Sequence, residues 1–199
     1  MAKIKLTKNE LKKQKDALKM FQRYLPTLML KKQQLQAEIR IIELRVQELM
    51  EEKKQINESF KSWIGVFGEV GVFTPNILRI TSIKTSEGNI AGVPIPLFQG
   101  ADFHIEQYDL ARTPIWLDVA VEKMKRVFLL DLEAQILEEQ CRRLAHELQI
   151  TTQRVNLFEK IKIPETKASI KKIRIYLGDQ QTAAVVRGKI AKRGMEKAQ

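Results

Sequence analysis

Between Leu6 and Trp63, apolar residues return at alternating steps of three and four, with polar residues filling the positions between. One series runs Leu11, Leu18, Leu25, Lys32, Ile39, Val46, Lys53 and Phe60. The other runs Gln14, Phe21, Leu28, Leu35, Ile42, Leu49, Ile56 and Trp63. Thirteen of these sixteen positions are apolar, and a seven-residue period held this long keeps facing a partner helix only if the two supercoil left-handedly. The segment has no glycine and only Pro26, so it is expected to be one long helix of roughly 80 Å at 1.5 Å per residue.

The same pattern returns after Thr113. Val127, Ala134, Cys141, Leu148 and Val155 make one series; Leu130, Leu137, Leu144, Thr151 and Phe158 make the other. Two seams separated by a middle piece are expected to pack as an antiparallel helical hairpin. The seam then includes Leu28, Leu35, Ile42, Leu49 and Ile56 on one side, and Val127, Leu137, Cys141, Leu148 and Val155 on the other. Antiparallel partners have numbers with a constant sum. A value of 183 sets Leu35 on Leu148, Ile42 on Cys141 and Ile56 on Val127, and places the polar Lys32 opposite Thr151; values of 176 or 190 keep the heptad phase but lose that match. In that register the second helix outruns the first from about Lys172, giving a slim tip. Pro164 is expected to bend this helix or to begin a new helical piece, and Gly178 and Gly188 to weaken its last turns.

The middle reads differently. Residues 65–113 hold six of the nine glycines and three of the six prolines. Leu78 to Lys84 and Asn89 to Ile95 are β-branched and partly alternating, which predicts a β-hairpin turning at Thr85-Ser86-Glu87-Gly88. Pro94 and Pro96 would end its second strand or hold it at an edge. Gly65, Gly68 and Gly71 mark the end of the first helix, and Gln99 to Arg112 carry no assigned element. The resulting division is 1–64, an N-terminal coiled-coil helix; 65–113, a head with a β-hairpin near 78–95; and 114–199, a C-terminal coiled-coil helix with a projecting basic tip. The fold class is all-α dominated.

Charge adds a further constraint. The chain carries +11, and residues 1–32 and 160–199 each hold +8, leaving −5 for the remainder. A hairpin brings the two basic ends together, which suggests an acidic partner. A basic arm gripping nucleic acid is the alternative reading, although Phe21, Tyr24 and Tyr176 are the chief aromatics there for base stacking. The lone Cys141 excludes an internal disulfide and fits a reducing compartment. No run of roughly 20 apolar residues spans a bilayer and no signal-peptide pattern opens the chain, so a cytoplasmic protein is expected.

Candidate chemistry is sparse. Gly65-Val-Phe-Gly68-Glu-Val-Gly71 lacks the Lys-Ser/Thr ending of a phosphate loop, and a helix stop explains its glycines better. His104 and His146 sit in different segments, and Cys141 is five residues from His146, a poor spacing for two metal ligands on one helix face. The neighbours within Glu51-Glu52 and within Glu138-Glu139 point about 100° apart on a helix, so they are expected to face solvent or to make i,i+4 pairs with Lys or Arg. No catalytic residue, metal ligand or cofactor site is expected.

Several stretches resemble a known family. They are Leu6-Thr-Lys-Asn-Glu-Leu-Lys-Lys-Gln-Lys-Asp-Ala-Leu18, Leu30-Lys-Lys-Gln-Gln-Leu35, Asn89-Ile-Ala-Gly-Val-Pro94, Arg154-Val-Asn-Leu-Phe-Glu159 with Ile163-Pro164, and Val186-Arg-Gly-Lys-Ile-Ala-Lys192. In order and spacing they resemble the D subunits, the central-shaft subunits of V-type and A-type ATPases and ATP synthases, the bacterial members above all. The chain departs from that family at Gly178-Asp-Gln-Gln-Thr-Ala-Ala-Val-Val186, where an acidic, Glu/Arg-rich stretch is usual. The resemblance implies a non-catalytic rotor shaft that transmits torque between ATP turnover in a ring of A and B subunits and ion translocation in the membrane rotor. The small F-type subunit and the membrane-rotor docking subunit are the other implied partners, with no direct nucleic-acid contact, no direct membrane insertion and a location peripheral to the membrane. At the tip, Arg187, Lys189, Lys192 and Arg193 are the implied electrostatic contacts with the ring.

Overall fold

A computed structural model describes residues 5–61, 77–106, 108, 114 and 116–198. The elements in chain order are α1 (Lys8–Lys61), β1 (Leu78–Ile90), β2 (Val93–Ile105), α2 (Trp116–Asn156), a π-helical turn (Leu157–Lys162) and α3 (Ile163–Ala198). The fold is all-α dominated, with one small antiparallel hairpin. Trp63 and the glycines at 65, 68 and 71 lie outside the described residues. The chain forms two compact units, Gln33–Gln149 and Met1–Lys32 with Ile150–Gln199.

Helix α1 starts where Thr7 offers its side-chain oxygen to the backbone N–H of Glu10 at 3.2 Å, satisfying one of the donors a helix start leaves open. It runs for 54 residues, through Pro26.

In the Gln33–Gln149 unit, α1 and α2 pair antiparallel. Leu35, Ile42, Val46 and Leu144 are buried there in one cluster, with Ile39, Leu137, Cys141 and Leu148 packed against it. That cluster contains both members of four layers in the 183 register: Leu35 with Leu148, Ile39 with Leu144, Ile42 with Cys141, and Val46 with Leu137. Burial of each such aliphatic side chain contributes about 1.5–3 kcal/mol, so these layers dominate the unit's stability.

The hairpin corrects the sequence expectation. Its turn is Ala91-Gly92, both at positive φ (51° and 81°), and Thr85 to Gly88 belong to β1, paired with β2 from Phe98 to Ile95. Asn89 explains the choice: its Oδ1 accepts the Gly92 N–H at 2.9 Å, holding a two-residue turn whose twist suits antiparallel strands. β2 is also longer than expected. Pro94 and Pro96 sit inside it, tolerated because a two-stranded sheet has only edges, and the strand continues through Gln99 to Ile105. A register shift falls between Lys84 and Thr85, and the facing Gly100 takes φ 138°, a conformation that favours glycine.

The hairpin lies along α2. At its base, Ile77 and Leu78 form a core with Leu117 and Val121. At its turn end, Val93 and Ile95 join the cluster of Leu35 and Leu144. Lengths agree: thirteen-residue strands span roughly 43 Å, and Leu117 to Arg143 spans roughly 39 Å of helix.

In the other unit the seam carries a one-residue skip. Continuing the heptad beyond Val155 and Phe158 would put Lys162 and Glu165 inward, yet the residues buried are Thr166, Ile170 and Ile173. The π-turn supplies the missing residue: Ile163 donates its N–H to the Phe158 carbonyl, five residues back. Pro164 follows this turn directly, as the second residue of α3 in a helix that continues without a break from α2.

Candidate functional site

For a helical pair the functional surface is the seam that fixes its geometry and the outward charges that meet partners. Leu35, Ile42, Leu49 and Val155 are buried; Leu28, Ile56, Val127, Leu137, Cys141 and Leu148 are half-buried. Two polar residues join them. Thr151 is 1% exposed, and Thr166 satisfies its hydroxyl by donating to the Lys162 carbonyl at 2.6 Å.

Outside the seam of the Gln33–Gln149 unit, charges lock α1 to α2. Arg45 reaches Glu133 at 3.2 Å, Lys53 reaches Asp131 at 2.6 Å, and Arg126 reaches Glu52 at 2.7 Å. Each pair is partly exposed and contributes roughly 0–1 kcal/mol, but together they resist sliding of one helix along the other. Lys53, a polar member of the predicted seam, is thereby matched by Asp131. Glu51 and Glu139 make the local pairs expected of adjacent acids: Glu51 with Lys54, and Glu139 with Arg142 and Arg143. Hydrogen bonds from Arg143, then Arg142, hold the Glu139 carboxyl below the usual range.

The hairpin is latched by groups with no signature in the sequence. Gln140 is 4% exposed, and its Nε2 donates to the Pro96 carbonyl; Arg143 Nη1 donates to the Pro94 carbonyl at 3.3 Å. Gln140 is off the heptad, and only its burial reveals the role. At the hairpin base, Tyr108 donates its hydroxyl to Asp118 at 2.6 Å, a bond that pushes the phenol above its ordinary pKa, with burial adding to the rise.

In the other unit, Phe21 and Phe158 pack with ring centroids 5.1 Å apart. The expected ring contacts Arg187, Lys189, Lys192 and Arg193 are all exposed on α3. Helical geometry places Lys189, Lys192 and Arg193 within an arc of about 100°, and Arg187 on the opposite side. A groove of about 620 Å³ is lined by cations of α1 and α3 (Lys15, Lys19, Lys167, Lys171 and Arg174), a feature that charge counting alone does not localise.

Cys141 is half-buried, and its thiol is pushed up by burial first, then by the charges of Glu43 and Glu138. Among the described residues no His, Cys, Asp or Glu cluster could hold a metal ion, and no helix is long and apolar enough to cross a membrane.

Comparison with known proteins gives these features a context. Residues 10–193 match the family model for the D subunits of ATP synthase. The V-type ATP synthase D subunit of Borreliella burgdorferi is 54% identical over 197 residues, covering 99% of this chain and 97% of the relative. The V-type ATP synthase D subunits of Chlamydia muridarum and Chlamydia pneumoniae are 36% and 35% identical; each alignment covers 97% of this chain, and 96% and 93% of the respective relatives. Matched along almost its whole length, the chain belongs to the ATP synthase D-subunit family and is part of a V-type ATP synthase complex.

Proposed function

We propose that the chain is the central rotor shaft of that complex, transmitting torque between ATP turnover in the A/B ring and ion translocation in the membrane rotor, with no catalytic site of its own. The observation that carries this reading is the paired helix seam, reinforced by cross-helix ion pairs from Arg45–Glu133 to Arg126–Glu52. A shaft must resist bending and sliding, and close-packed aliphatic layers with fixed register supply that stiffness. The A, B and F subunits and a membrane-rotor docking subunit are its proposed partners, at the cytoplasmic face and without insertion into the bilayer.

An asymmetric shaft meets each catalytic pair of a pseudo-threefold ring differently, and such differential contact is what rotation needs in order to bias their states in turn. Arg187, Lys189, Lys192 and Arg193 are the proposed electrostatic contacts at the tip. The family match favours this reading over a nucleic-acid-binding arm.

The test is reconstitution. The isolated chain is expected to hydrolyse no ATP, and the complex carrying a chain truncated by residues 180–199 to lose coupling between hydrolysis and ion movement. Full coupling with the truncated chain would overturn the tip assignment. Failure of the intact chain to assemble with A, B and F subunits would overturn the shaft itself.

A further inference from the structure

In the Gln33–Gln149 unit the cations that lie between α1, α2 and the hairpin find carboxylates within the chain: Arg45, Lys53, Arg126 and Arg143 are each paired, while among the described residues Arg40, Lys61, Arg79 and Lys125 are not. The groove of the other unit is different. Lys15 and Lys19 stand one turn apart on α1, while Lys167, Lys171 and Arg174 follow at one-turn spacings on α3. No Asp or Glu lines the groove. Among the described residues none of these five cations makes an ion pair. Asp16 stands one turn before Lys19 on α1, but neither it nor Glu165 or Asp179 lines the groove or forms an ion pair with these cations.

The rest of the lining is Gln22 and an aliphatic floor of Leu18, half-buried, and Ile170, 7% exposed, with Ile175, 56% exposed, standing out beside it. This floor decides the class of partner. A single-stranded nucleic acid stacks its bases on flat rings, and no aromatic residue lines the groove; a duplex binds cations through its phosphates and has no use for the aliphatic lining. A membrane surface takes up protruding side chains, which suits Ile175 but leaves the half-buried Leu18 and the buried Ile170 unused. An amphipathic helix uses both features, placing an aliphatic side chain on the floor and carboxylates one turn apart against each rail. Complementary charge of this kind favours the right partner and speeds encounter.

We infer that the groove docks an acidic amphipathic helix of a neighbouring protein subunit, with its carboxylates on Lys15, Lys19, Lys167, Lys171 and Arg174 and an aliphatic side chain against Leu18 and Ile175. The inference rests on the chain working inside the multisubunit complex proposed above.

The experiment treats the assembled complex with a zero-length carbodiimide, which joins a lysine amine to a carboxylate in direct contact, and maps the products by mass spectrometry. Lys15, Lys19, Lys167 and Lys171 are expected to link to Asp and Glu residues one turn apart on another subunit. Links from these lysines confined to acids of the same chain would overturn the inference. In parallel, the full chain is titrated into the complex assembled without it. Lys167→Gln/Lys171→Gln/Arg174→Gln is expected to weaken binding about tenfold or more, since these exposed cations have no internal pair to lose. Ile175→Ser is expected to weaken it several-fold. Charge dependence with no effect of Ile175→Ser would indicate a plain polyanion and overturn the helix. So would tight wild-type binding, lost in the triple variant, to duplex RNA or to phosphatidylglycerol vesicles without the subunit links. If the chain assembles with A, B and F subunits but the groove forms no links, this inference fails and the shaft reading stands. If it links to an acidic helix of a different assembly, the shaft reading fails and the groove stands.

Discussion

Replacing Ile95 by alanine should release the hairpin from α2 while leaving the helices paired. A two-stranded hairpin is marginal by itself, so its attachment depends on the side chains it buries. At the turn end these are Ile95, 2% exposed, and Val93, 8% exposed, both packed in the cluster of Leu35, Ile42, Val46 and Leu144. At about 1.5–3 kcal/mol each they contribute roughly 3–6 kcal/mol of attachment, beside the Gln140 and Arg143 bonds. Truncating a buried isoleucine to alanine costs about 2–5 kcal/mol, because a cavity is left as well. Taking about 3 kcal/mol, the local opening constant rises roughly 100-fold or more, at about 1.4 kcal/mol per factor of ten. Native-state hydrogen exchange resolves this: amides of Thr85 to Leu97 should exchange about 100-fold faster, and those of Leu35 to Leu49 far less. Ile83→Ala, at a 48% exposed position of the same hairpin, is the control and should change neither. An equal loss of protection in hairpin and helices would refute the reasoning, since it would make the hairpin part of one cooperative unit.

In a Pro164→Ala background, deleting Lys160 should remove the skip and let α2 run into α3 in one phase, moving stability by less than about 1 kcal/mol in urea. Deleting Arg142 in the same background turns the buried Leu144 and Val155 off the seam and should cost about 3–6 kcal/mol. Tyr108 titrates above the ordinary phenol range, chiefly through its bond to Asp118. Because the folded value is raised, its contribution is complete below the ordinary phenol pKa and is lost as pH rises through the folded value. Asp118→Asn should therefore bring one tyrosine back toward the ordinary range in an ultraviolet tyrosinate titration. Cys141, its thiol raised mainly by burial, should react with an aromatic disulfide reagent at pH 8 at least about tenfold more slowly than in the urea-unfolded chain.

The helices were legible because a seven-residue repeat is a long-range signal, and each of its layers carries the same information. The skip was legible too, although only in retrospect. Lys162 and Glu165 break the repeat, while Ile163, Thr166, Ile170, Ile173 and Leu177 restore it one residue later. The proline beside that break is expected to bend the helix or to begin a new helical piece, and α3 does begin at Ile163, directly after the widened turn. The hairpin was read by type but not by turn. Thr-Ser-Glu-Gly carries ordinary turn residues, yet the Asn89 side chain on the Gly92 N–H outweighs them and lets Ala91 adopt positive φ. Gln140 left no trace, because a buried amide on a helix flank is chosen by a carbonyl 44 residues away in sequence.

Charge separates two jobs that the heptad alone treats as one. Both units carry apolar seams, but the Gln33–Gln149 unit has a net charge of −5 and satisfies its principal cross-helix cations internally, while the unit of both termini holds the remaining +16. A chain selected only for a stiff helical pair would gain nothing from that imbalance, since unpaired like charges repel and weaken the compact state. The imbalance makes sense if the neutralising carboxylates belong to other subunits. Raising salt should then dissociate the chain from its complex well before it lowers the melting temperature of the isolated chain, because exposed charge across an interface is screened while buried aliphatic layers are not. Loss of assembly and loss of fold at the same salt concentration would show that the excess charge serves the chain's own structure instead.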